Sequence, residues 1–307
     1  GGAARVVHWA AGLRRADAAR LPELLAWVGR LLEEPSPSDD GALAACLSAV
    51  PQVLAPGNEL AGRAVELASR ACDREPAKSL DVLNVVFKDP RWRGEHAAPA
   101  VVELAVRELR RAVGELPGQR AAAQRSARLL HFLAEESRSR ALVASGGGPE
   151  LVFEVLDQHG GDPGVALGCV GCLLCLAAEG LDLQKAVGAA LGCMRQHPTN
   201  GDLQWRSLAA LHSLPRHWEA SDAAVVAAEL ACAAGTRHPH FDSVVEWVAK
   251  VLCRLVLRRD NGVREWLRRG APDGWLRGFR ENSYKIRKPN KEADHAVAEL
   301  WRLCSAG

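Results

Sequence analysis

The sequence predicts an all-α protein, and three observations support that prediction. Hydrophobic residues make up 48% of the 307-residue chain but aromatic residues only 5%, so the apolar content is mainly Ala, Leu and Val. Such side chains suit helices that pack closely, whereas strands favour aromatic and β-branched side chains. Gly and Pro recur where helices would end, and one pattern returns about every 41 residues, the length of a helical repeat.

The repeated pattern is clearest in residues 140–146 and 264–270. Each segment begins with Arg, continues with apolar residues two or three positions later, and ends with Gly six positions after the Arg. Two further units begin near Asp182 and Asp222, so successive units start about 41 residues apart. We expect each unit to contain a short first helix, a Gly or Pro break, a second helix, a polar turn and a longer third helix.

Third helices are predicted over residues 202–214 and 241–257, where apolar residues recur at helical spacing. Asp162, Asp202 and Asp242 stand where an N-cap residue would begin the third helix of a unit. Each unit is therefore expected to begin its longest helix with an acidic cap.

The segment from about residue 120 to the C-terminus resembles the armadillo family. Residues 126–134 (Ser-Ala-Arg-Leu-Leu-His-Phe-Leu-Ala) and 140–152 (Arg-Ala-Leu-Val-Ala-Ser-Gly-Gly-Gly-Pro-Glu-Leu-Val) are similar to the end of one armadillo unit and the start of the next. The resemblance implies a right-handed α-solenoid of armadillo/HEAT-like repeats.

The resemblance also allows one specific function to be tested on the sequence. Nuclear-import adaptors of this family carry Trp and Asn four residues apart on successive third helices. Here Trp205 is followed at that spacing by Ala209, and Trp247 by Val251. We therefore do not expect recognition of nuclear-localisation peptides.

The N-terminal part also predicts helices, but with a weaker period. The predicted helices cover residues 3–14, 22–33, 42–54, 59–73, 78–87, 99–113 and 120–135, with breaks at 34–40, 56–57, 88–94 and 116–118. They form pairs, closer to HEAT repeats than to the three-helix form. We therefore divide the chain into HEAT-like repeats over 1–119 and armadillo-like repeats over 120–307, stacked in one continuous solenoid.

The nine cysteines are an odd, scattered set in apolar helical stretches, which indicates free thiols in a reducing intracellular compartment. Cys169, Cys172 and Cys175 have the spacing of iron–sulfur ligands, but no fourth Cys follows closely, since the next is Cys193. The three lie in a predicted third helix. We expect them to pack against neighbouring helices and to bind no metal.

No other pattern predicts catalysis. His212, His217, His238 and His240 are predicted to be solvated loop residues, because the sequence has no HExxH motif. The run of three glycines at 146–148 lacks the Lys-Ser/Thr of a phosphate-binding loop and is predicted to separate two helices. We expect no enzymatic activity and no cofactor.

Positive charge is concentrated near the C-terminus. The whole chain has a net charge of +2, yet residues 254–291 contain twelve Lys and Arg against four Asp and Glu, interleaved with Trp266, Trp275 and Tyr284. The candidate binding residues are Arg258, Arg259, Arg264, Arg268, Arg269, Arg277, Arg280, Lys285, Arg287 and Lys288. Three interpretations stay open: contact with RNA phosphates, contact with an acidic protein, or a solvated face that closes the last repeat.

The sequence as a whole predicts a non-catalytic scaffold or adaptor subunit that binds other proteins within a larger intracellular assembly, in the cytoplasm or in an organelle. The alternative is RNA binding through the basic C-terminal surface. No membrane span is expected, because the longest weakly polar run, 165–178, falls short of the roughly 20 residues that a bilayer requires.

Overall fold

The structure is a computed structural model that describes residues 2–33, 40–55, 58–97, 99–113, 119–220, 222–257, 262–270 and 302. The residues in these ranges form helices and turns and no strand, which confirms the predicted all-α class. The chain divides into two compact units, Gly1–Leu151 and Val152–Gly307. The predicted division by repeat type at residues 119 and 120 falls inside the first unit and stays a prediction.

The first unit is built from helices in two layers. They are α1 (Gly2–Gly12), α2 (Leu21–Glu33), α3 (Asp40–Val53), α4 (Ala61–Ala71), α5 (Pro76–Lys88), α6 (Pro90–His96), α7 (Pro99–Arg111), α8 (Gln119–Glu135) and α9 (Ser137–Ser145), with a 3-10 helix at Arg15–Arg20. Helices α1, α3, α5 and α8 pack in series, each against the next, and α2, α4 and α7 pack onto them. The fully buried Leu43, Leu83 and Leu130 belong to the core of this unit.

Helix α10 (Gly148–His159) crosses the boundary between the two units, and the second unit repeats the layered arrangement. Its further helices are α11 (Pro163–Leu176), α12 (Leu183–Gln196), α13 (Gly201–Ser213), α14 (Ala223–Arg237), α15 (Asp242–Leu257) and α16 (Val263–Gly270), with a 3-10 helix at Arg216–Ala220. Helices α11, α13 and α15 pack in series, and α12 and α14 pack onto them and onto each other. Equivalent helices begin about 40 residues apart, as the sequence pattern predicts.

The short first helices are less regular than predicted. Helix α9 lies where the unit that begins at Arg140 was predicted to have its first helix. The units predicted to begin near Asp182 and Asp222 start instead with the longer helices α12 and α14, so the prediction of a short first helix followed by a break is wrong for these two units. Conversely, α6 lies where a break was predicted. Pro90 occupies the first turn of α6, where its missing N–H costs no hydrogen bond, and the Asp89 side chain accepts from the Arg91 N–H.

Arg140, which begins the first segment of the repeated pattern, contacts the end of the preceding helix. Arg140 donates from Nε to the Ala134 carbonyl (2.9 Å) and from Nη2 to the Glu135 carbonyl (3.2 Å), at the end of α8. Arg93 makes the same two bonds to the last carbonyls of α5. Carbonyls at a helix C-terminus lack helical partners, so these arginines satisfy them.

The predicted acidic caps are confirmed in part. Asp162 accepts from the N–H groups of Gly164 (2.8 Å) and Val165 (3.1 Å) and is the N-cap of α11. Asp202 was wrongly predicted as a cap, because Asn200 takes that role in α13 while Asp202 accepts from the Trp205 indole. Asp242 is the first residue of α15. Among the described residues, no helix combines the length and apolar content that crossing a membrane requires.

Candidate functional site

The predicted basic C-terminal surface lies largely outside the described residues. Seven of its members belong to segments that the structure does not describe: Arg258, Arg259, Arg277, Arg280, Lys285, Arg287 and Lys288. The other three, Arg264, Arg268 and Arg269, lie on α16, but their side chains are also outside the description. This surface therefore stays a prediction.

Arg254, at the start of that basic run, is not a surface cation. Its side chain is 11% exposed and is paired with the Glu219 carboxylate, which is 1% exposed. The guanidinium also donates to the backbone carbonyls of His212 and Leu214. Its charge is thus neutralised inside the second unit, and counting residues along the sequence overstated the positive charge available there.

The first unit carries a groove across α3, α5 and α8, with a cavity volume of about 600 Å³. Four cations line it: Lys78 and Lys88 on α5, and Arg125 and Arg128 on α8. Asp81 on α5 is the one acidic residue of the lining. We refer to this feature as the basic groove.

Most of the positive charge in the basic groove is not neutralised. Asp81 Oδ1 accepts from Arg125 Nε at 2.7 Å, which offsets one cation. Among the described residues, no carboxylate lies within 4.0 Å of Lys78, Lys88 or Arg128. Lys88 and Arg128 are exposed and Lys78 is half-buried. The groove therefore presents three cations to solvent, and its potential is positive.

Asn84 joins the two helices that carry these cations. It is 7% exposed, and its Nδ2 donates to the carbonyls of Leu80 (2.9 Å) and Arg125 (3.0 Å), so it links α5 to α8. These two acceptors fix the orientation of the amide, because the flipped group would place its oxygen against both carbonyls. Asn84 Oδ1 is buried without a hydrogen-bond partner, and the residue lines the groove.

An apolar shelf adjoins the basic groove, with a cavity volume of about 540 Å³. Leu54, Val85, Val86 and Trp92 line it, and Val85 and Lys88 line both cavities. Val85 is 38% exposed, whereas Val86 beside it is 2% exposed. The two cavities thus form one continuous surface in which an exposed valine lies among cations.

The carboxylate at the edge of the apolar shelf is already engaged. Asp89 accepts from Arg91 Nε (3.1 Å) and Nη2 (2.6 Å). The hydrogen bonds from Arg91 hold the pKa of Asp89 below its ordinary value. Because Arg91 balances this charge, Asp89 does not offset the cations of the basic groove.

Sequence reasoning missed the basic groove, although one signal was present. Helix α8 contains Arg120, Arg125 and Arg128 and no acidic residue before Glu135. An unbalanced charge on one helix indicates an electrostatic role. The contribution of Lys78 and Lys88 is visible only once α5 packs against α8.

The cysteine triad lies in helix α11, as predicted. Cys169 and Cys172 are buried and Cys175 is half-buried. Burial raises the pKa of the Cys169 thiol, and that of Cys193 to about 12, so the thiolate needed for metal binding is strongly disfavoured at neutral pH. Within the described ranges, no group of three or more His, Cys, Asp or Glu side chains is placed to hold a metal ion.

The prediction that the four histidines are solvated loop residues is wrong for His212. It lies on α13, half-buried, with its ring edge-on to the Trp247 ring at a centroid distance of 5.5 Å. Burial, and then the nearby positive charge of Arg254, lower the pKa of His212. His217 and His240 are exposed.

The prediction is also wrong for His238, which belongs to a repeated contact. His238 Nε2 lies 3.0 Å from the Pro198 carbonyl, and His197 Nε2 lies 2.6 Å from the Gly160 carbonyl. His197 and His238 each follow the last residue of their helix, α12 and α14. Each histidine therefore links its turn to the corresponding turn of the preceding repeat.

The three glycines at 146–148 connect two helices. Helix α9 ends at Ser145 and α10 begins at Gly148, and Gly147 has a φ of 80°, which favours glycine. Gly148 is closely packed, since a Cβ there would lie 2.6 Å from the Val143 carbonyl oxygen. These glycines thus serve the turn between α9 and α10.

Comparison of the chain with protein-family models and with curated protein sequences found no match. Its likeness to the armadillo family therefore stays a resemblance, carried by the residues given above.

Proposed function

We propose that the chain is a non-catalytic scaffold or adaptor subunit that binds other proteins within a larger intracellular assembly. We also propose that each unit is a right-handed α-solenoid of armadillo/HEAT-like repeats. The layered packing of equivalent helices, which begin about 40 residues apart, supports this architecture. Such stacks present long rows of helix surface to partners.

The basic groove with its apolar shelf is the observation that carries this proposal. It combines three cations without a carboxylate partner among the described residues, Lys78, Lys88 and Arg128, with the exposed Val85 on one continuous surface. Protein interfaces use this mixture, in which an apolar centre is surrounded by charged groups. Asp81, the one carboxylate of the groove lining, is paired with Arg125, and the Ser48 hydroxyl donates to the Ala44 carbonyl (2.7 Å), so the two are not placed as the base and nucleophile of a catalytic site.

RNA binding through the basic C-terminal surface is the alternative. It depends on residues between 258 and 288 that lie outside the described ranges, and it stays a prediction.

Quantitative affinity purification from native cells, with and without nuclease, tests the proposed function. We expect defined proteins to copurify in constant ratio to the chain and to stay bound after nuclease treatment. The amount of copurifying protein is measured for a groove variant, Lys78→Gln with Arg128→Gln, and for a control variant, Arg63→Gln with Arg70→Gln on α4, whose residues lie outside the groove. Enrichment that nuclease abolishes, or no enrichment over an unrelated bait, would contradict the proposal.

A further inference from the structure

We propose that the basic groove binds an extended acidic segment of a partner protein and that an apolar side chain of this segment packs on Val85. This inference rests on the proposed function and specifies the chemistry of the partner. It is carried by the charge of the groove, by its length across three helices and by the apolar shelf.

The positive charge of the groove determines that the partner segment is negatively charged. The four cations of the groove face one carboxylate, and that carboxylate is occupied by Arg125 at 2.7 Å. Lys78, Lys88 and Arg128 thus have their charges available. A basic segment would be repelled, whereas Asp and Glu side chains would form charge-assisted hydrogen bonds with all three.

The length of the groove determines the form of the partner. Its lining residues come from α3, α5 and α8, which pack in series. Packed helices have axes about 8–10 Å apart, so the groove extends roughly 20 Å from the first helix to the third. An extended chain covers about 3.3 Å per residue, and about six residues therefore span the groove.

The apolar shelf determines where the segment is anchored. Val85 is exposed although Val86 and Phe87 beside it are buried. Exposed charge pairs contribute little to affinity, because water and salt screen them. An apolar side chain that removes Val85 and part of Trp92 from water supplies the hydrophobic centre that the cations surround.

The same features disfavour a nucleic acid in this groove. Val85 lies exposed at the junction with the shelf, where a phosphate backbone would meet an apolar surface. A peptide segment can place an apolar residue there, whereas a row of phosphates cannot. RNA is nevertheless included as a probe in the test.

Selection from a phage library of random dodecapeptides tests the inference on the full chain. We expect the selected peptides to be enriched in Asp and Glu around one large apolar residue. A selected peptide, labelled with fluorescein, is then titrated by fluorescence anisotropy, with a uridine dodecamer as the second probe. We expect the peptide to bind more tightly than the RNA and to lose affinity several-fold when salt rises from about 0.05 M to 0.5 M.

Two triple variants with equal loss of charge provide the comparison. Lys78→Gln, Lys88→Gln and Arg128→Gln remove the free cations of the groove and should weaken peptide binding at least tenfold. Arg20→Gln, Arg63→Gln and Arg70→Gln remove exposed cations outside the groove and should change the affinity less than twofold. Circular dichroism confirms that both variants keep the helical content of the parent.

Several results would overturn the inference: no enriched peptide, enrichment without acidic residues, tighter binding of the RNA, or equal effects of the two triple variants. The proposed function fails separately, when no protein copurifies from native cells. If proteins copurify but the acidic peptides do not bind the groove, the inference is wrong and the adaptor function stands.

Discussion

The buried ion pair between Arg254 and Glu219 allows a sharp prediction about the stability of the second unit. Arg254 lies on α15, and Glu219 lies in the 3-10 helix that precedes α14. The guanidinium also caps the end of α13 through the carbonyls of His212 and Leu214. One side chain therefore connects three elements of this unit.

Replacing Arg254 with Met keeps an unbranched side chain but removes the charge and every donor. Glu219 would remain at 1% exposure without its partner, and two backbone carbonyls would lose a donor. Removing one member of a buried ion pair costs about 3–5 kcal/mol. We expect the free energy of unfolding to fall by that amount.

Urea unfolding followed by far-ultraviolet circular dichroism measures this change. Hydrogen exchange of α13 and α15 gives a local readout, because stacked repeats can open separately. Arg63→Met is the control: its partner Glu66 lies 2.6 Å away, but the two side chains are 45% and 51% exposed. Pairs of that kind contribute about 0–1 kcal/mol.

A double variant distinguishes the charge effect from lost packing. Adding Glu219→Gln to Arg254→Met removes the isolated carboxylate, and we expect this to recover roughly 1–3 kcal/mol of the loss. If Arg254→Met costs no more than Arg63→Met, the buried pair does not hold these elements together. If the double variant recovers nothing, the isolated charge is not the cause.

Three further predictions follow from burial and packing. Burial lowers the pKa of His212 in the folded chain, so the unfolded chain binds a proton there more readily, and the free energy of unfolding falls as the pH drops below about 6.5. In urea titrations from about pH 7.5 to 5.5, His212→Gln should make the free energy of unfolding depend less steeply on pH. Burial raises the pKa of Cys46 and Cys193 to about 12, so iodoacetamide at about pH 8 should label them much faster in urea than in the folded chain. Mass spectrometry measures the rate of labelling at each cysteine. Gly188→Ala adds a methyl group in open space on α12 and should raise the free energy of unfolding by about 0.5–1 kcal/mol. Gly160→Ala should lower it, because the new Cβ would lie 2.3 Å from the Leu156 carbonyl oxygen. If Gly160→Ala unfolded at a higher temperature than Gly188→Ala, this packing would be contradicted.

The order and type of the helices could be read from the sequence because the signals are local. Apolar spacing predicts helices over 202–214 and 241–257, and α13 and α15 are found within one residue of those positions. The Arg140 segment also has a local basis, because that Arg donates to the last carbonyls of the helix just before it in sequence.

The errors arose where a local signal has two meanings. A Pro-containing run such as 88–94 predicts a break, but the same Pro fits the first turn of a helix when a capping Asp precedes it, as in α6. Asp202 and Asn200 are both good caps, and in the structure it is the Asn200 side chain that accepts from the Leu203 N–H.

The sequence by itself determined the helical class, the repeat length of about 40 residues and the placement of the cysteine triad on a helix, because each depends on neighbours within one or two turns. The tertiary structure alone decided which charges are free. Arg254 and Arg125 each meet an acid from a packed helix, 35 and 44 residues away along the chain, whereas Lys78 and Lys88 do not among the described residues. The net charge of a sequence segment does not show which charges are paired with residues far away along the chain. The basic groove is therefore visible only in the structure, where α5 and α8 lie side by side.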